Sequence, residues 1–167
     1  KGAFLRNPLY NGLQLRKTKV SAHVKCILTP EEIAEKSVEE LDAILDQAFA
    51  FDHFKTQQEE QIPITEPFRA DGLHRILYKC PHCGTEGALE GKGTHITCSS
   101  CGVQYELGKF GNLICKNNTP AFTHIPQWYA WQRECVKQEI EAGPAQIISE
   151  ISGEKRFYDI EISYVDY

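Results

Sequence analysis

An α+β fold is predicted by three observations in the 167-residue sequence. Two Cys-x-x-Cys-Gly elements lie among short strand candidates, two capping-box signatures open helices before them, and a helical stretch followed by an alternating tail comes after. Apolar residues make up 41% and charged residues 25% of the chain, an ordinary globular balance that argues against a disordered or collagen-like protein. No apolar run approaches the ~18 residues that span a bilayer.

Taken in order, residues 1–28 read as irregular or extended. Asn7-Pro8 and Asn11-Gly12 are turn signals, and residues 20–27 alternate like a strand. Thr29-Pro30-Glu31-Glu32 starts a helix: Thr29 caps, Pro30 suits the first helical position and Glu32 completes the box. Ser37-Val38-Glu39-Glu40 repeats the signature and opens a second helix, with Leu41, Ile44, Leu45 and Ala48 on one face. Phe49, Phe51 and Phe54 suggest a packed aromatic cluster. Pro63, Pro67 and Gly72 suit a connector.

Cys80-Pro81-His82-Cys83-Gly84 and Cys98-Ser99-Ser100-Cys101-Gly102 carry the chemistry, with 14 residues between the pairs. Zn2+ takes four ligands tetrahedrally at ~2.3 Å, so Cys80, Cys83, Cys98 and Cys101 saturate one ion and leave no open position. The two residues between paired cysteines let a tight turn aim both sulfurs at one point. The glycine that follows accepts a left-handed backbone. Strand candidates at residues 75–79, 94–97 and 103–107 complete a small zinc-ribbon β module over residues 73–118, with structural Zn2+. Iron in a rubredoxin-like centre uses the same ligands. His82 and His95 lie nearby, but four thiolates need neither. Cys26, Cys115 and Cys135 read as buried free thiols, and reduced thiolates point to the cytoplasm.

A further helix runs from Pro126 towards Gly143-Pro144, with Trp128, Tyr129, Trp131, Cys135, Val136 and Ile140 on a broad apolar arc. Residues 158–164 alternate strictly, as a strand with one buried face does. The expected architecture is therefore a zinc ribbon flanked by helices, with N- and C-terminal strands. It divides into residues 1–28, a helical segment and connector at 29–72, the ribbon at 73–118, and a helix plus strands at 119–167.

The net charge of −5 is unevenly placed. Residues 1–30 hold six basic side chains and no acid, while the rest carry 12 basic and 23 acidic ones. That acidic remainder argues against extensive nucleic-acid binding, which rests on phosphate neutralisation. The ribbon itself has a modest excess of two positive charges, which four thiolates and one Zn2+ offset. No Gly-rich phosphate loop, G-x-S-x-G elbow or H-E-x-x-H motif is present.

Several stretches together resemble one family: KGAFLRNPLY (1–10), RKTKV (16–20), LTPEEI (28–33), RADGLHRILYKCPHCG (69–84) and FTHIPQWYAWQRE (122–134). They are similar to the C-terminal, zinc-ribbon part of bacterial 1-acyl-sn-glycerol-3-phosphate acyltransferase-like proteins, over about residues 1–142. The resemblance implies transfer of an acyl chain to a lysophospholipid hydroxyl, with an H-x4-D histidine as general base. The fifth residue after each histidine here is Leu28, Gln58, Lys79, Gly87, Ser100 or Tyr129, and none is Asp. No catalytic residue carries over. The catalytic half is expected upstream of Lys1, residues 1–28 being a remnant of that acyltransferase-like domain and the rest its accessory extension.

The expected partners are that upstream domain and an anionic membrane surface met by Arg16, Lys17 and Lys19, which places the protein in the cytoplasm at the inner face of the membrane. A nucleic-acid- or protein-binding zinc ribbon unrelated to lipid metabolism, and a redox or metal sensor, are the alternative readings.

Overall fold

Alternation of buried and half-exposed residues shapes the central sheet. A computed structural model describes residues 2–12 and 14–142, together with the backbone pairing of strands Ala145–Ile151 and Glu154–Ile160. Four short strands, β1 (Leu89–Lys92), β2 (His95–Cys98), β3 (Gln104–Leu107) and β4 (Leu113–Cys115), form an antiparallel meander in sequence order. The register sets Leu89 opposite Cys98, Ile96 opposite Tyr105 and Leu107 opposite Leu113. With a side-chain period of two, these residues share the inner face, and all six are buried.

Among the described residues five α-helices accompany the sheet: α1 (Ala3–Arg6), α2 (Pro30–Ala34), α3 (Val38–Phe49), α4 (His53–Glu59) and α5 (Ile125–Glu141). Helix α5 covers the inner face through Trp128, fully buried and 5.3 Å from Tyr105 between ring centroids. Helix α4 is capped by Asp52, which accepts from the Lys55 N–H at 2.9 Å, and buries Phe54 and Gln57. The architecture is thus α+β, with a zinc-ribbon-like module and helices on both sides in sequence. Among the described residues no helix is long and apolar enough to cross a membrane.

The first eleven residues differ from expectation, while residues 14–28 are irregular as read. Residues 3–11 form α1 and a 3-10 turn, Leu9–Asn11, and Tyr10 joins the same hydrophobic core as the ribbon. Asn11 donates to the carbonyls of Phe68 and Asp71. Arg16 is only 4% exposed; its guanidinium donates to Tyr10 Oη, Asn11 Oδ1 and the Arg69 carbonyl at 2.8–3.2 Å. Of the three side chains expected at a membrane, Lys17 and Lys19 are exposed and Arg16 is a structural core residue.

Residues 20–27 form no strand and are exposed throughout, because a strand needs a neighbour and no described strand forms a ladder with them. The expected strand at 75–79 is a 3-10 turn, Leu73–Arg75, followed by an isolated bridge from Lys79 to Glu86. Leu73 and Leu77 lie one helical turn apart; the Leu77 N–H meets the Leu73 carbonyl and both side chains bury. Both capping boxes form as the sequence predicts, but neither α2 nor α3 buries a residue. The aromatic cluster shrinks to Phe54, with Phe49 and Phe51 exposed. On α5 the arc is correct at Trp128 and at the half-buried Trp131, Cys135, Val136 and Ile140, whereas Tyr129 is exposed and Gln132 takes a buried place. The C-terminal strands pair as a hairpin, β5 (Ala145–Ile151) with β6 (Glu154–Ile160); residues 161–164 of the expected tail strand, and its buried face, lie outside the described residues.

Candidate metal centre

Each cysteine pair sits on a tight turn built by the same two hydrogen bonds. In the first, the Gly84 N–H meets the Cys80 carbonyl at 2.9 Å and the Cys80 N–H meets the Thr85 carbonyl at 3.0 Å. In the second, Gly102 and Cys98 are joined at 2.9 Å, and the Cys98 N–H meets the Val103 carbonyl at 2.9 Å. Gly84 and Gly102 have φ of 72° and 74°, the left-handed region where a Cβ is strained. Glycine after each pair is therefore favoured by the turn.

The turns bring four sulfurs together. Cys80 Sγ lies 3.7 Å from Cys101 Sγ, and Cys83 Sγ lies 3.7 Å from Cys98 Sγ. All four are within 4.8 Å of one another. Tetrahedral coordination with arms of ~2.3 Å asks for sulfur–sulfur separations of about 3.8 Å, so the set fits a four-thiolate metal site. The seven cysteines form no disulfide.

Electrostatics divide the site into a buried and an exposed half. Cys80 and Cys98 are fully buried, while Cys83 and Cys101 face solvent. Burial pushes the Cys80 thiol up to about 12, against the backbone N–H groups of Cys83 and His82 aimed at its sulfur. The Cys83 thiol is drawn down to about 6 by the Thr85 hydroxyl, 3.3 Å away, and by the Thr85 N–H. A cation bound between the sulfurs would supply the charge that keeps a buried thiolate ionised.

Second-layer contacts hold the turns in place. Trp128 Nε1 donates to the Lys79 carbonyl at 2.9 Å, directly before Cys80. Gln132 accepts from the Tyr78 N–H at 3.2 Å and donates to the Ile76 carbonyl at 2.5 Å. Asn117 accepts from the Gln104 N–H and donates to the Gly102 carbonyl at 2.8 Å, bracing the second turn. Lys79 bridges Glu86 at 3.2 Å and Glu139 at 2.6 Å; the Glu139 hydrogen bond foremost raises its ammonium to about 12.

Sequence reasoning missed Gln132, Asn117 and the Lys79 bridge. Gln132 follows Trp128 by one helical turn, and that spacing is the signal that finds it. His82 and His95 are directed elsewhere: His82 Nε2 lies 2.7 Å from Tyr105 Oη, and His95 Nδ1 lies 3.0 Å from Thr94 Oγ1. Cys26 is exposed rather than buried, and Cys115 and Cys135 are half-buried.

Fold and site together define an α+β protein with a zinc-ribbon-like module and a four-cysteine cluster able to hold a metal ion. No protein-family model matches the chain, and no curated protein or solved structure shows a significant match to it.

Proposed function

We propose that Cys80, Cys83, Cys98 and Cys101 hold one structural Zn2+, and that the chain is an accessory region organised around it. The observation that carries this is the convergence of four sulfurs within 4.8 Å on two glycine-ended turns. Four protein ligands close the coordination shell, so the role is to pin the two turns together and, through Lys79, to anchor α5. Metal analysis of freshly purified protein, before and after chelation, tests the assignment: one zinc per chain supports it, and iron or no metal refutes it.

The resemblance carried by residues 1–10, 16–20, 28–33, 69–84 and 122–134 supports a finer reading. In it the region serves a lysophospholipid acyltransferase-like protein by interdomain packing or by positioning at an anionic membrane surface on the cytoplasmic side. Lys17 and Lys19, both exposed, are the side chains that meet such a surface. An assay of acyl transfer to lysophosphatidate tests it: the chain alone is inactive and the longer protein active. Turnover by residues 1–167 alone, or an inactive longer protein, refutes it.

A further inference from the structure

Two segments of opposite charge, adjoining in sequence, expose apolar side chains. The first is residues 19–27, exposed throughout, with Lys19 and Lys25 and no acid, whose Val20, Val24 and Ile27 are 50%, 102% and 46% exposed. The second is residues 30–49, which carry α2 and α3, where seven acids and Lys36 accompany exposed Ile33, Val38, Leu45 and Phe49.

On α3 the apolar residues Val38, Leu41, Leu45 and Phe49 make one strip at ~100° per residue, with Asp42 and Asp46 along its edge. A twelve-residue helix with nothing buried is marginal in water, because helices of this length draw most of their stability from an apolar face packed on something. An acidic rim is repelled by anionic lipid and calls for a basic, partly apolar cover. Residues 19–27 have that chemistry. They also adjoin α2 in sequence, so a two-fold arrangement offers the same pair of contacts twice.

We infer that a second copy of this chain covers the face: Lys19 and Lys25 of one protomer meet Asp42 and Asp46 of the other, and Val24 packs on the strip around Val38 and Leu45. The interaction goes beyond the zinc reading and leaves the metal site untouched.

Sedimentation equilibrium of the zinc-loaded chain, with reductant present so that Cys26 cannot cross-link, decides it. A 19.0 kDa monomer in reversible equilibrium with its dimer is expected at low salt. Raising salt from about 50 mM to about 500 mM weakens the dimer about tenfold or more, since the Debye length falls below the spacing of rim charges. Lys19→Glu with Lys25→Glu abolishes the dimer, and adding Asp42→Lys with Asp46→Lys restores it. Circular dichroism and zinc content, unchanged in both variants, separate loss of the interface from loss of fold. A monomer at every concentration in low salt overturns the proposal, as does a dimer indifferent to the charge reversal.

Discussion

Trp128 donates its indole N–H to the carbonyl of Lys79, one residue before Cys80, and so fastens α5 to the chain entering the first cysteine turn. The ring also fills the space beneath Tyr105, so one side chain supplies both packing and position. Trp128→Phe keeps most of the apolar volume and leaves the Lys79 carbonyl without this donor, a loss of about 1–3 kcal/mol. Trp128→Ala also opens a cavity and costs about 3–5 kcal/mol. Denaturant melts of the metal-loaded variants should rank wild type above Phe above Ala.

Arg16 tests whether the N-terminal charges are structural. Its buried guanidinium serves Tyr10 Oη, Asn11 Oδ1 and the Arg69 carbonyl at once. Arg16→Met keeps the stem and removes the donors, costing about 3 kcal/mol at ~1.5–3 kcal/mol per charged hydrogen bond with partial compensation by water. At about 2–4 °C per kcal/mol, thermal unfolding falls by about 6–12 °C. Lys17→Glu, at an exposed site, stays within about 0.5 kcal/mol of wild type.

Glycines in similar backbone conformations should behave differently. Gly72 and Gly84 have φ of 74° and 72°. A Cβ on Gly72 collides with the Tyr10 carbonyl oxygen, while a Cβ on Gly84 meets nothing within 4 Å. Gly84→Ala therefore bears only the left-handed penalty of about 1–2 kcal/mol. Gly72→Ala bears that plus separation of the N-terminal segment from the ribbon, and should be clearly the worse of the two in parallel melts.

Features resting on local chemistry were legible in the sequence. Both capping boxes, the two cysteine turns with their glycines, and the extent of α5 follow from spacing within a few residues. Strand β1, Leu-Glu-Gly-Lys, has no β-branched residue, and β4 is three residues long, so neither carries a periodic signal. Residues 75–79 carry strand-like residue types, yet the long-range burial of Leu73 and Leu77 sets their conformation. The strip on α3 is real, but periodicity says which residues share a face and not what covers it. The buried roles of Arg16 and Gln132 depend on carbonyls 53 and 56 residues away in sequence.

Acid should empty the metal site in a way that Thr85 controls. Cys83 titrates at about 6 in the fold, below its ordinary value, through the Thr85 hydroxyl and the Thr85 N–H. A depressed thiol favours the fold above its unfolded pKa, and that contribution disappears as pH falls through about 6. Protons also compete with metal for the thiolate over this window. Thr85→Val removes the hydroxyl, raises the Cys83 thiol, and should shift metal release to higher pH. A chromogenic chelator read across pH 8 to pH 4 checks both the direction and the shift.

The most direct test measures metal and structure on one sample. Freshly purified protein should carry one zinc per chain by elemental analysis, and removing it should unfold the ribbon, because structural zinc contributes about 10–16 kcal/mol against a domain stability of about 5–15 kcal/mol. In amide-exchange or NMR spectra the signals of residues 80–115 should collapse on chelation and return with Zn2+; Cys83→Ser should weaken metal retention. A protein purified without zinc, or a ribbon whose spectrum survives complete metal removal, contradicts the account.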